Sequence, residues 1–361
     1  MTNTDNHHRD REGGTSRDRA AGTSPEGRGS AEGGTSRDRA AGTSPEGRGS
    51  AEGGTSRDRA KGAVAMDRIF DAVALRGPVC VGLDTAIEHL PPSLRSTHSS
   101  RAEAMFAYNE ALIEATADYA ACYKVQIAYY EELGLEGLRA YARTLEAIRR
   151  SGRVAIADIK RGDIADTASR YALAHFTGEF EADCVTLNPY MGLDSLEPWL
   201  EAADKFGKGL FALVRTSNPG MRDFEGLALQ KGGHVYDEVA ARVAGLASRG
   251  RGERGYGTLG AVVGCTERDE AAELRARLGG VFILIPGYGA QGGGAEDAAL
   301  LLVNGNGGIV NASRSILKAW AKSGRPADSI GIVEAAEAAR MATLQMRDAI
   351  AQAVRSLASP R

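Results

Sequence analysis

RVAIADIKRGDIADTA, residues 153–168, is a short apolar run that breaks off into charge, and the rest of the chain is best read outward from it. The run at 153–158 is too short for a helix and apolar on both faces, the pattern of a parallel strand covered by helices. Seven similar runs stand at 78–84, 121–127, 182–188, 209–215, 259–264, 280–285 and 308–312. Segments of helical period lie between them. Met105, Phe106, Leu112 and Ile113 recur through 101–119, and Leu138, Tyr141, Leu145 and Ile148 through 136–150. Eight such β/α units predict an α/β fold, a (β/α)8 TIM barrel, with an open doubly wound sheet as the competing arrangement. The segment 245–257, GLASRGRGERGYG, reads as a flexible surface loop between the fifth and sixth units.

Reactive groups of such a barrel gather at the C-terminal ends of its strands. The first polar residues there are Asp84, Lys124, then Asp158, Lys160 and Asp163, then Asn188, Arg215 to Gly220, the PGYGAQGG run at 286–293, and Asn311 to Arg314. Asp158 and Lys160 stand two apart, which aims both side chains into the barrel and turns Ile159 outward against the helices. A buried lysine loses its proton to desolvation unless nearby carboxylates hold it charged. Convergence of Asp84, Lys124, Asp158, Lys160 and Asp163 is therefore read as a catalytic array that keeps a buried Lys160 as an ammonium. A solvated ion-pair network is the bland reading, and two carboxylates beside one buried amine are an expensive way to gain stability alone. The glycines of 286–293, the Gln291 amide and the Arg314 guanidinium together suit a phosphate monoester.

Other chemistries find less support. Lys+Arg 44 against Asp+Glu 47 gives a net charge of −3, which supplies no cationic field for nucleic acid or anionic lipid. No apolar run reaches the length of a membrane span, and MTNTDNHHRDREGG has no apolar centre, so the chain reads as cytoplasmic. Cys80, Cys122, Cys184 and Cys265 lie singly inside apolar runs and read as buried free thiols. None of the six histidines falls at a predicted strand end, and no HExxH or HxH pair exists, so no metal site is expected. Ser217 lies outside any GxSxG elbow, which argues against acyl transfer. Thr167 has a plain alternative role as a cap of the helix that follows it.

The N-terminal part differs in kind. EGGTSRDRAAGTSPEGRGSA fills 12–31, recurs unchanged at 32–51, and starts a third time at Glu52. The repeat contains no Leu, Ile, Val, Phe, Tyr or Trp, so stacked copies would have nothing to bury. With 11 basic and 10 acidic residues through position 61, it predicts a disordered polyampholyte tail over 1–63 ahead of a catalytic domain over 64–361. Met66 opens the first segment that reads as folded, and a second start of translation there is a hypothesis that intact-mass measurement would settle.

In order and spacing, Asp84, Lys124, DIKRGDIADTA (158–168), RTSNPG (215–220), PGYGAQGG (286–293) and NASR (311–314) resemble the orotidine 5'-phosphate decarboxylase family, in its longer bacterial branch. The resemblance covers residues 66–330. DxKxxD alone is shared across a superfamily of phosphosugar barrels; TSNPG and GAQGG in the same order make the match specific. It implies decarboxylation of orotidine 5'-phosphate to UMP and CO2, the last step of de novo UMP biosynthesis, with no cofactor and no metal. Lys160 then resembles the group that stabilises and protonates the C6 carbanion, and Asp158 the carboxylate facing the departing CO2. Asp84 and Lys124 resemble the partners of the ribose hydroxyls and of the charge network. Asp163, Ile164 and Thr167 match positions that reach into a neighbouring subunit's site, which implies a homodimer with shared sites. Ser217 matches the reader of the pyrimidine edge, and Gln291 and Arg314 match the phosphate ligands. Rival readings are a metal-dependent phosphosugar decarboxylase or aldolase of the same superfamily, and a non-catalytic phosphonucleotide-binding barrel. In departures from the family, Ile159 stands where Ala or Phe is common, and GCTERDE (264–270) replaces a GATYP-like run.

Overall fold

A computed structural model describes residues 64–289 and 292–358; the predicted tail at 1–63 lies outside the described residues. Eight strands pair in chain order: β1 (Val79–Gly82), β2 (Cys122–Gln126), β3 (Val154–Arg161), β4 (Cys184–Leu187), β5 (Gly209–Arg215), β6 (Leu259–Val263), β7 (Ile283–Ile285) and β8 (Gly308–Ala312). β1 pairs in parallel with both β2 and β8, which closes the barrel and excludes the open sheet. The strands carry Val, Ile, Leu, Ala and Cys on both faces because the inner face fills the barrel and the outer face meets helices. Helices Arg101–Thr116, Gly134–Arg150, Glu197–Phe206 and Ile332–Ala358 belong to that outer layer. Fully buried Tyr108, Tyr141, Phe176 and Trp199 form its core with Val81, Val125 and Leu187.

β3 runs three residues past its expected end at 158. Its register against β4 is Ile156 with Cys184 and Ala157 with Val185, then jumps to Arg161 with Leu187, so Asp158, Ile159 and Lys160 together face Thr186. This bulge carries charge inside a continuous strand, and periodicity alone reads such a place as a strand end.

The N-terminal mouth is closed by the helix Ala65–Arg76, which ends where Gly77 takes φ +83° and Pro78 follows. Met66, Ile69 and Val73 recur on one face and pack on Cys80, Cys122, Ile156, Cys184, Phe211, Phe282 and Ile309 inside the barrel. Burying a side chain of that size contributes about 1.5–3 kcal/mol. The segment expected to be a flexible loop is tied to this plug. Asp67 accepts hydrogen bonds from the backbone N–H of Glu253 at 2.9 Å and of Arg254 at 3.0 Å, and the Arg254 side chain pairs with Asp71 at 2.8 Å. Tyr256 packs between Phe70 and Phe282. Gly252 lies so near the plug that an added Cβ would stand 2.2 Å from Asp67 Oδ2 and 2.3 Å from Val64. Its glycines thus serve close approach as well as turning. The four cysteines are free and buried, as expected. No helix among the described residues is long and apolar enough to cross a membrane.

Candidate active site

The C-terminal mouth opens into a cavity of about 830 Å³. On its floor, Lys124 Nζ lies 2.8 Å from Asp84 Oδ1 and 2.9 Å from Asp158 Oδ2. Lys160 Nζ lies 2.6 Å from Asp158 Oδ1. The four groups form one alternating chain in the order Asp84, Lys124, Asp158, Lys160. Burial opposes the charge on Lys124, but Asp158 and Asp84 outweigh it and raise its pKa above the ordinary lysine range. Burial also opposes the charge on Asp158; Lys124 and Lys160 outweigh that too and hold its carboxyl well below the ordinary range.

Two expectations need correction here. The buried amine is Lys124, whose side chain is 5% exposed, whereas Lys160 is 45% exposed and faces the open cavity. Lys160 sits beyond the last buried residue of β3, where the bulge lifts it above the packed interior. Asp163 does not join the array: it leaves the strand behind and its Oδ1 accepts from the Ile164 backbone N–H at 2.9 Å. Neither Asp163, Ile164 nor Thr167 lines the cavity of this chain. Thr167 does not cap its helix either, since Ala165–Phe176 starts two residues earlier, after Ile164, with no side-chain cap.

Ser217 and Arg314 line the cavity as expected, with Gly287 and Tyr288 of the glycine-rich loop beside them. Gln291 lies outside the described residues. That loop folds back on itself, Gly293 N donating to Gly287 O at 3.1 Å, and a Cβ at Gly293 would stand 2.6 Å from Cys265 Sγ. Arg215 turns away, pairing with Glu270 at 3.0 Å and Thr266 at 3.2 Å behind the loop that carries Ser217. Asn188 likewise caps a turn, accepting from Tyr190 N at 3.0 Å.

Several cavity residues escaped the sequence reading. Thr186 is hidden within the apolar run of β4, where its single hydroxyl gives no break in hydropathy. Ser313 and Asn311, already read as polar residues at the end of the eighth strand, line the cavity as well: Ser313 Oγ donates to Asp84 Oδ2 at 2.8 Å, and Asn311 keeps a buried Oδ1 with no partner among the described residues. His89 sits in the 3₁₀ turn after β1, its Nδ1 accepting from Ala86 N at 3.1 Å, and it lines the cavity although it lies five residues past Asp84. Glu225 closes the loop after β5 by accepting from Thr216 N at 2.7 Å and Oγ1 at 2.8 Å. Among the described residues, no group of His, Cys, Asp and Glu is arranged to hold a metal ion.

Comparison with known proteins agrees with this geometry. A family model described as Orotidine 5'-phosphate decarboxylase / HUMPS family matches residues 77–324. An orotidine 5'-phosphate decarboxylase of Clostridium kluyveri is 49% identical over 285 residues, 79% of this chain and 96% of the relative. Its counterpart in Clostridium acetobutylicum is 51% identical over 79% of this chain and 98% of the relative. Among solved structures, an OMP decarboxylase of Leishmania donovani superposes with a TM-score of 0.62 at 30% identity, over 81% of this chain and 99% of that one. With the closed barrel and the Asp–Lys–Asp–Lys chain on its floor, these likenesses place the protein in the orotidine 5'-phosphate decarboxylase / HUMPS family.

Proposed function

We propose that this chain decarboxylates orotidine 5'-phosphate to UMP and CO2 without a cofactor. The observation that carries the reading is the alternating chain of Asp84, Lys124, Asp158 and Lys160, with its outer lysine facing the cavity. Loss of CO2 from an sp2 carbon leaves an electron pair with no conjugated sink, so the charge must be met electrostatically. Lys160 is the group that meets it. As the C6–carboxylate bond breaks and CO2 leaves, the pair on C6 takes a proton from Lys160 Nζ. Asp158 faces the departing carboxylate, and its charge is maintained by Lys124 beneath it. At the far end, Arg314 and the 286–293 loop, including Gln291, hold the phosphate, and Ser217 reads the pyrimidine edge. Asp84 and Lys124 also hold ribose hydroxyls. Binding energy from the remote phosphate is then available to order the loop after β5 over the reacting carbon.

The catalytic domain spans 64–361. Four buried free thiols suit a reducing compartment such as the cytoplasm. The active form is a homodimer in which Asp163, Ile164 and Thr167 complete the partner's site. What supports this is that all three stand outside their own cavity, with Ile164 48% exposed. Mixing inactive Lys160→Ala and Asp163→Ala proteins is expected to restore about half of the wild-type activity per heterodimer, one intact site of two, and so about a quarter across a random mixture. No restoration after demonstrated subunit exchange places Asp163 in its own chain's site.

The deciding experiment is incubation of EDTA-treated protein with orotidine 5'-phosphate while substrate absorbance is followed. Conversion to UMP is expected. Inactivity that Mg2+ relieves, on this or another sugar phosphate, would move the chain to metal-dependent chemistry.

A further inference from the structure

Lys160 has φ +44°, a left-handed backbone that a non-glycine residue rarely adopts. Such a conformation costs on the order of 1–3 kcal/mol and persists only where neighbours hold it. It lies inside the bulge in which three residues of β3 oppose Thr186 alone, so the regular ladder offers the Lys160 N–H no carbonyl. Thr186 takes that place. Its Oγ1 accepts from the Lys160 backbone N–H at 3.0 Å and donates its one proton to Asp158 Oδ1 at 2.8 Å. Asp158 Oδ1 is also the oxygen that receives Lys160 Nζ at 2.6 Å. One buried hydroxyl, 1% exposed as a residue, therefore ties both ends of Lys160: its backbone directly and its ammonium through the shared carboxylate oxygen.

We propose that Thr186 is a positioning residue that holds Lys160 in its strained conformation and aims its ammonium at the reacting carbon. Bulges re-aim side chains, and here the re-aimed side chain is the proton donor. The proposal rests on the decarboxylase reading and on the role it gives Lys160. The Thr186 hydroxyl is engaged by Lys160 N and Asp158 Oδ1, so its loss is expected to act on the chemical step and leave ground-state binding in place.

Thr186→Ser and Thr186→Ala each remove the methyl group, and only the second removes the hydroxyl, so their ratio isolates the hydroxyl even if packing loosens in both. Steady-state turnover of orotidine 5'-phosphate and calorimetric affinity for UMP would be measured for wild type and both variants. Thr186→Ser is expected to stay within about threefold of wild-type kcat. Thr186→Ala is expected to fall about 30-fold below it, the loss typical of a hydrogen bond to a charged group, with KM and UMP affinity within about threefold. The proposal is overturned if Thr186→Ala keeps its kcat, if Thr186→Ser falls as far, or if UMP affinity falls in step with kcat. A wild type that does not convert orotidine 5'-phosphate at all would instead remove the decarboxylase reading, and the positioning role with it.

Discussion

Two layers of side chains inside this barrel lie one inward step apart and hold opposite chemistry. On β2, β3, β4 and β8, the lower layer presents Cys122, Ile156, Cys184 and Ile309, all packed beneath by the plug helix. Two residues further along the same strands stand Lys124, Asp158, Thr186 and Asn311, all lining the cavity. A step of two residues is only about 6.6 Å along a strand. The ionic layer thus rests on an apolar floor that keeps water from reaching it from below. Attraction between charges strengthens as the surroundings become less polarisable, so the floor serves the array without touching a substrate. The contrast teaches that the lower mouth carries stability and the upper mouth carries reactivity, and the two should separate experimentally.

The largest expected effect breaks the upper layer alone. Lys160→Ala removes both the cation and the proton donor, and kcat is expected to fall on the order of 10⁴-fold or more, with little movement of the thermal midpoint. A parallel loss of stability would mean the layers are not separable. The converse test is Ile69→Ala in the plug, expected to destabilise the fold by about 3 kcal/mol while kcat stays within about twofold. Chemical unfolding followed alongside turnover would read both. Smallest is the effect on thiol reactivity. Burial pushes the Cys122 and Cys184 thiols well up, and pushes Cys265, near the glycine-rich loop, up to about 11. The thiolate is the reactive form, so at pH 8 iodoacetamide is expected to leave these three unmodified in the native protein and to modify them on unfolding. Raising the pH toward 11 should expose Cys265 first, read by mass spectrometry of labelled peptides.

The barrel was legible because its strands are apolar on both faces, and each of the eight predicted runs contains an observed strand or, in β3, the start of one. The charged array was legible for the opposite reason. Asp84, Lys124, Asp158 and Lys160 interrupt apolar runs where burial makes charge expensive. What escaped was any feature that depends on register. The β3 bulge decides that Lys160 faces the cavity while Lys124 is the enclosed amine, and no spacing in DIKRGD records it. Thr186 escaped because a hydroxyl scarcely disturbs hydropathy and acquires meaning only from the carboxylate opposite. The segment 245–257 looked loose because its anchor, Asp67, lies far away in sequence, although its first three residues end the helix Val235–Ala247.

The plug also sets a timetable for synthesis. Ile69 leaves the ribosome long before its partner Ile309, which comes 240 positions later. At roughly 5–20 residues per second, that interval is about 12–50 seconds. Through that time the apolar face of Ala65–Arg76 has no finished barrel to enter and is exposed to aggregation or to capture by chaperones.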